Sequence, residues 1–153
     1  MTSNQGINAR FQEAVDSIAK YGVSIAESDI VDTKDQVGDD EYDVLKRDRN
    51  LNSAIMTLGK ALASVDVLIG CSYPPAWVSK LGEGDPFTGS SWITTAPSSA
   101  GAPIGAVPMG LVDGLPVGLG VVAARNNEVA LVRAMALIKH SLNFGILKPT
   151  FSK

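Results

Sequence analysis

Apolar residues recur along this chain with two different periods, and the switches between them outline its elements. From Asn8, the segment NARFQEAVDSIAKYG sets Phe11, Val15, Ile18 and Tyr21 on one helical face. Asn8 is a candidate cap for that helix, and Gly22 supplies a residue suited to ending it. Val23–Ala26 and Ile30–Val31 read as short extended pieces. A second helix is predicted from near Asp40, with Leu51, Ile55, Leu58, Leu62 and Val65 as its core stripe. The run VDVLIG, Val65–Gly70, is short, apolar and rich in β-branched residues, the pattern of a strand covered on both faces.

Beyond it the periodicity disappears. Residues 71–103 are crowded with Pro, Gly and Ser and read as one long irregular loop, a feature more often functional than incidental. Ile104–Met109 and Leu115–Ala124 then read as two strands, with Asp113-Gly114 as a hairpin turn between them. A last helix is predicted from Asn126 or Asn127 to about Leu142. Its buried face is Leu131, Met135, Ile138 and Leu142, and Lys139 and His140 stand in its last turn. Residues 1–7 are expected to form a disordered tail ahead of the first helix. No repeat and no nucleotide-binding glycine pattern is present in the sequence.

Composition narrows the function classes. The 153 residues suit one domain, and 45% hydrophobic with 19% charged residues suits a packed core. A net charge of −3 argues against general nucleic-acid binding. One cysteine, Cys71, and one histidine, His140, exclude an internal disulfide and make a Cys/His metal centre an unattractive reading, so no cofactor is expected. Met1–Arg10 lacks the apolar centre of a secretory signal, and Pro86–Ala124, although almost uncharged, is too broken by Gly and Pro to span a membrane. A cytoplasmic protein is the expectation. Acidic residues concentrate between Glu27 and Asp43, but without the spacing of a calcium loop, and read as a solvated stretch.

One segment carries a specific signature. Ala100-Gly101, Pro103, Val107-Pro108-Met109-Gly110, Gly114-Leu115-Pro116-Val117-Gly118-Leu119, then Glu128 and Leu131 together resemble the C-terminal signature region of the amidase-signature hydrolases. Upstream, VDVLIGCSYPPAW resembles the strand and proline-containing loop that precede that region in bacterial amidases. FQEAVDSIAKYGVSIAE resembles the helix and strand that follow their nucleophile region, so the resemblance extends over most of residues 10–153. It implies an α/β fold, part of a mixed β-sheet flanked by helices, and a chain that forms the C-terminal part of an amidase domain. Pro108, Gly110, Gly114, Pro116 and Gly118 then have structural roles, with the prolines at strand ends or edges and the glycines at bends and close contacts.

The family cleaves amide bonds with a serine nucleophile, a second serine joined by a cis peptide, and a lysine base. These lie ahead of the region resembled here. No Gly-Gly-Ser-Ser-Gly-Gly stretch occurs, and Ser90-Ser91 and Ser98-Ser99 lack its flanking glycines and its position. No catalytic role is carried over. Ser90 or Ser91 with Lys80 could be read as an independent dyad, but serines in such a loop more often cap turns. Cys71 reads better as a small buried residue than as a nucleophile. Trp77 and Trp92 are candidates for lining a substrate pocket and equally for covering the core. The expected partners are a separately encoded N-terminal amidase half or a second copy of the chain, with a small amide substrate only once the site is completed.

Overall fold

The computed structural model describes residues 4–28, 44–72, 80–82 and 92–146, with the backbone alone for 44–47, 49, 50 and 92. Among the described residues four helices, α1 (Gln5–Lys20), α2 (Val44–Ala61), α3 (Trp92–Ala100) and α4 (Glu128–Leu142), accompany three strands. These are β1 (Val67–Cys71), β2 (Ile104–Val112) and β3 (Leu115–Ala123), in the order β1-β3-β2. Both pairings are antiparallel, so the sheet expected of the family is represented here by three antiparallel strands. Helices cover both of its faces. Ile7, Ala14 and Ile18 of α1 and Leu131 and Ile138 of α4 pack with Val107, Met109, Val117, Leu119, Val121 and Ala123 on one face. Ala54 and Leu58 of α2 and Ile93 and Ala100 of α3 pack with Leu68 and Val122 on the other.

The β2–β3 hairpin follows from its turn. Asp113 (φ 51°) and Gly114 (φ 77°) both take left-handed backbone, the requirement of a two-residue turn that matches strand twist. Register runs from Val112↔Leu115 to Ile104↔Val122 and slips once between Pro108 and Gly110, leaving Met109 as the extra residue of a bulge. Pro108 sits on an edge strand, where a missing donor N–H is tolerated. Pro116 lies past the last β1 pairing, Cys71↔Leu119, so among the described residues β3 there has a ladder partner on one side only.

Helix ends are set by local hydrogen bonds. Asn4, not Asn8, caps α1: its side-chain oxygen accepts the Ile7 N–H at 3.0 Å. The tail expected over 1–7 is therefore corrected from Gln5 onward, because Ile7 is fully buried and needs the helix to begin before it. Asn127 caps α4 by accepting from the Ala130 N–H, and Asn143 ends it at φ 45°.

Three further expectations change. Residues 71–103 are not one irregular loop, since Cys71 belongs to β1 and Trp92–Ala100 is α3. Burial of Ile93, Ala96, Pro97 and Ala100 at i, i+3, i+4 and i+7 supports that helix despite its proline. It ends when Ala102 N–H donates to Pro97 O (2.9 Å) and Gly101 N–H to Ser98 O (3.3 Å), with Gly101 at φ 65°. On α2 the buried residues are Ala54 and Leu58, while Leu51 and Ile55 of the expected stripe stay 38% and 36% exposed. Among the described elements α2 packs chiefly on α3, and Ala54 and Leu58 share a cluster with Leu68 and Val122. Val23–Ala26 carries no strand, although Val23 packs against the core; Ile30–Val31 and the α2 start near Asp40 lie outside the described residues.

Candidate functional site

None of the reactive side chains considered in the sequence is brought into a catalytic arrangement among the described residues. Ser90, Ser91 and Trp77 lie outside them, and of Trp92 only the backbone is described, at the first position of α3. Lys80 is exposed, and Ser98 and Ser99 are exposed in the last turn of α3. Cys71 ends β1 half-buried, and burial pushes its thiol pKa up from the ordinary value of 9.0. That disfavours the thiolate and hence nucleophilic use. The His140 ring meets Tyr21 edge-on at 5.5 Å and 81°. The described residues contain no group of three His, Cys, Asp or Glu side chains that could hold a metal. The acidic stretch falls mostly outside them.

The positions of the signature residues are well defined. Gly118 faces Ser72, whose N–H and Oγ–H both donate to the Gly118 carbonyl at 3.0 Å. A Cβ on residue 118 would stand 2.6 Å from that Oγ, so the doubled bond requires glycine. Gly110 (φ 145°) lies under Arg10 of α1, whose Nε–H donates to the Leu111 carbonyl at 3.2 Å. The same guanidinium reaches Glu13 at 2.7 Å, an exposed pair that holds the arginine over the bulge more than it stabilises the fold. Gly105 is pressed against the Met135 thioether of α4, and a Cβ on Gly120 would meet Ile93 at 2.9 Å. Gly105, Gly110 and Gly120 are thus placed where helices come close to the sheet.

A concavity among the described residues lies between α4 and the hairpin, a groove of about 660 Å³. Pro108 and Pro116 form its strand wall; Val132, Met135 and Lys139 form its helix wall, with Phe144 at the end. Sequence reasoning misses this groove. A signal for it exists: Val132 and Ala136 make α4 apolar outside the stripe assigned to the core. Among the described residues Lys139 is the one charge on the lining, and the rest of the lining is apolar or glycine.

Comparison with known proteins supplies the context that the geometry lacks. No protein-family model matches the chain. Among solved structures, the fold resembles a glutamyl-tRNA(Gln) amidotransferase subunit of Thermotoga maritima, with a TM-score of 0.69 over 89% of this chain and 39% of that one, at 19% identity. It also resembles a peptide amidase solved with the competitive inhibitor chymostatin, with a TM-score of 0.55 over 64% of this chain and 21% of that one, at 30% identity. A bacterial aryl acylamidase of the amidase-signature family shares the fold at a TM-score of 0.56, over 89% of this chain and 32% of its own, at 17% identity.

Over part of its length this chain is therefore similar to amidase-signature enzymes. In sequence it is 40% identical over 78 residues to the same glutamyl-tRNA(Gln) amidotransferase subunit from Exiguobacterium sibiricum, 49% of this chain and 16% of that one. The corresponding subunit of Methanosarcina barkeri is 38% identical over 95 residues, 59% of this chain and 20% of its own. The chain thus spans a fifth or less of these curated relatives.

Proposed function

We propose that this chain contributes the C-terminal part of an amide-hydrolysing site of amidase type. In this reading its hairpin, α3 and α4 complete the fold, while the serine nucleophile, the second serine and the lysine base belong to a segment other than these 153 residues. One observation carries it: signature-bearing homology to amidase-signature enzymes stands beside a sequence with no Gly-Gly-Ser-Ser-Gly-Gly stretch. The chemistry needs that stretch, because amide cleavage requires an activated hydroxyl and donors aimed at the developing oxyanion. Without it the chain alone is inactive. Its role is to form pocket wall and packing surface, with Trp77 and Trp92 as substrate-facing candidates.

The relatives are named as one subunit of an amidotransferase, which favours assembly with other chains here, namely a separately supplied N-terminal amidase segment. No described helix is long and apolar enough to cross a membrane. A cytoplasmic setting belongs to the same proposal. The test is hydrolysis of simple aryl and acyl amides by the purified chain, alone and mixed with the serine-bearing part of an amidase. Negligible turnover alone and turnover on mixing are expected. Robust turnover by the chain alone, abolished by a serine-directed phosphonate, would overturn the reading.

A second reading is a non-catalytic interaction module descended from an amidase. The exposed side chains Leu51, Ile55 and Met56 on α2 favour it, since apolar surface of this kind promotes association. A chain that sediments as a stable, folded monomer and gains no activity on mixing would count against both readings.

A further inference from the structure

α4 carries a second row of side chains beside the one that packs on the core. Leu131 and Ile138 are buried against the sheet. Val132, Met135, Ala136 and Lys139 follow at i, i+3, i+4 and i+7 and line the groove as one row, about 10 Å long, that ends in an ammonium group. Val132 is 63% exposed there. On the opposite wall Pro108 and Pro116 hold rigid backbone. At the Lys139 end, Asn143 (φ 45°) turns the chain out of α4, and Phe144 and Ile146 beyond it line the same groove. Lys139 has no ion-pair partner among the described residues.

We propose that this groove binds a free amphiphilic monocarboxylate: its aliphatic chain lies along Val132, Met135 and Ala136 against the two prolines, and its carboxylate pairs with the Lys139 ammonium. Proportion selects a small ligand over a protein. The groove's volume of about 660 Å³ is that of a small-molecule site. Its eleven described lining residues fall well short of the roughly 20 to 30 that one side of a standard protein interface uses. Charge then selects the ligand. A lining that is apolar or glycine except for one cation at the end of its row matches one apolar chain with one anionic end. A second charge on the ligand would lose water without gaining a partner. Met135 suits such a wall, since an unbranched thioether adapts to irregular shapes. The chain's net charge of −3 gives anions no general attraction, so Lys139 is the source of the preference for a carboxylate. The inference is independent of the proposed function.

The test titrates decanoate, below its micelle concentration, into the full 153-residue chain. Binding is read by calorimetry and by the NMR signals of the Met135 methyl and the Lys139 amide. Saturable binding that moves both signals is expected. Decyltrimethylammonium, the same chain length with the opposite charge, should bind about fivefold more weakly or worse. Lys139→Met keeps an apolar stem and removes the charge, so decanoate affinity should fall about threefold to fivefold, the size of an exposed ion pair, while decanol binds as before. Val132→Glu sets a like charge in the path of the aliphatic chain and should weaken decanoate about tenfold or more. The melting temperature should not change, because Val132 is exposed. The proposal fails if decanoate does not bind, or binds only above its micelle concentration. It fails equally if decyltrimethylammonium binds as tightly as decanoate and Lys139→Met changes nothing. Signals that shift with the chain's own concentration before any ligand is added would assign the groove to a second copy. Decanoate binding that appears only after removal of residues 147–153, which lie outside the described residues, would assign it to the chain's own end. Either result overturns the proposal.

Discussion

The two faces of β3 differ along a single nine-residue strand. One face presents Val117, Leu119, Val121 and Ala123, all at most 7% exposed, to α1 and α4. The other presents Pro116, Gly118, Gly120 and Val122, and there Ser72 and Ile93 come in close against the glycines. The first face gains its cohesion from side-chain volume, and the second from backbone proximity. Volume tolerates a partner helix at ordinary packing distance, whereas proximity demands glycine and penalises any addition. The second face is also the thinner one: α2 and α3 bury few large side chains over it, and α2 leaves part of its apolar surface unused.

Substitutions can break or sharpen this contrast. The largest effect is expected for Leu119→Ala, which opens a cavity in the volume-packed face and should cost about 2–5 kcal/mol by urea denaturation. Leu58→Ala on the thinner face should cost less, and the contrast breaks if the order is reversed. Next comes Gly118→Ala, whose Cβ would displace the Ser72 hydroxyl and should cost about 1–3 kcal/mol. Combining it with Ser72→Ala should recover part of that loss, giving a coupling measurable by a double-mutant cycle. Gly114→Ala tests the turn both faces share: at φ 77° the cost should be about 1 kcal/mol, seen as a modest fall in melting temperature. The smallest effect belongs to Ile55→Gln on the exposed α2 flank, expected within about 0.5 kcal/mol of the parent. A larger loss would place Ile55 in the core of the isolated chain.

Cys71 offers a chemical probe of the same strand end. With its pKa raised by burial, its thiolate is scarce at neutral pH, and iodoacetamide should alkylate it more slowly than an exposed thiol. The rate should rise with pH up to and beyond 9.0. The sign for stability is the opposite: a raised folded pKa favours the native state below the unfolded value and loses that advantage as pH climbs through the folded one.

Where local signals and tertiary packing agree, the sequence reads correctly. Asp113-Gly114 and the alternation around it specify the hairpin, and Asn127 with the Leu131–Ile138 stripe specifies α4, because turn chemistry and periodicity both act within a few residues. α3 is hidden for the opposite reason. Its i, i+3, i+4, i+7 stripe is made of Ile93, Ala96, Pro97 and Ala100, so small residues and a proline mask a helix that burial sustains. On α2 the stripe is visible but its depth is not, since exposure of Leu51 and Ile55 depends on what lies opposite. Of the signature residues, Gly110 and Gly114 take positive φ and Gly118 lies close under Ser72, whereas Pro108 and Pro116 are only tolerated where they stand. The groove beside α4 escapes sequence reasoning, because a second apolar face on a helix does not say whether a neighbour fills it.

The doubled bond from Ser72 to the Gly118 carbonyl bears on kinetics as well as packing. β2, β3 and α4 run without interruption from Ile104 to Leu142, so their mutual contacts close short loops. Arg10 reaches Leu111 across 101 residues and Ser72 reaches Gly118 across 46. Assembly should therefore begin with the hairpin and α4, take in β1 at the Ser72 junction, and receive α1 last. In that order the segment from Ile104 to Leu142, which carries the signature, is the folding seed of the chain.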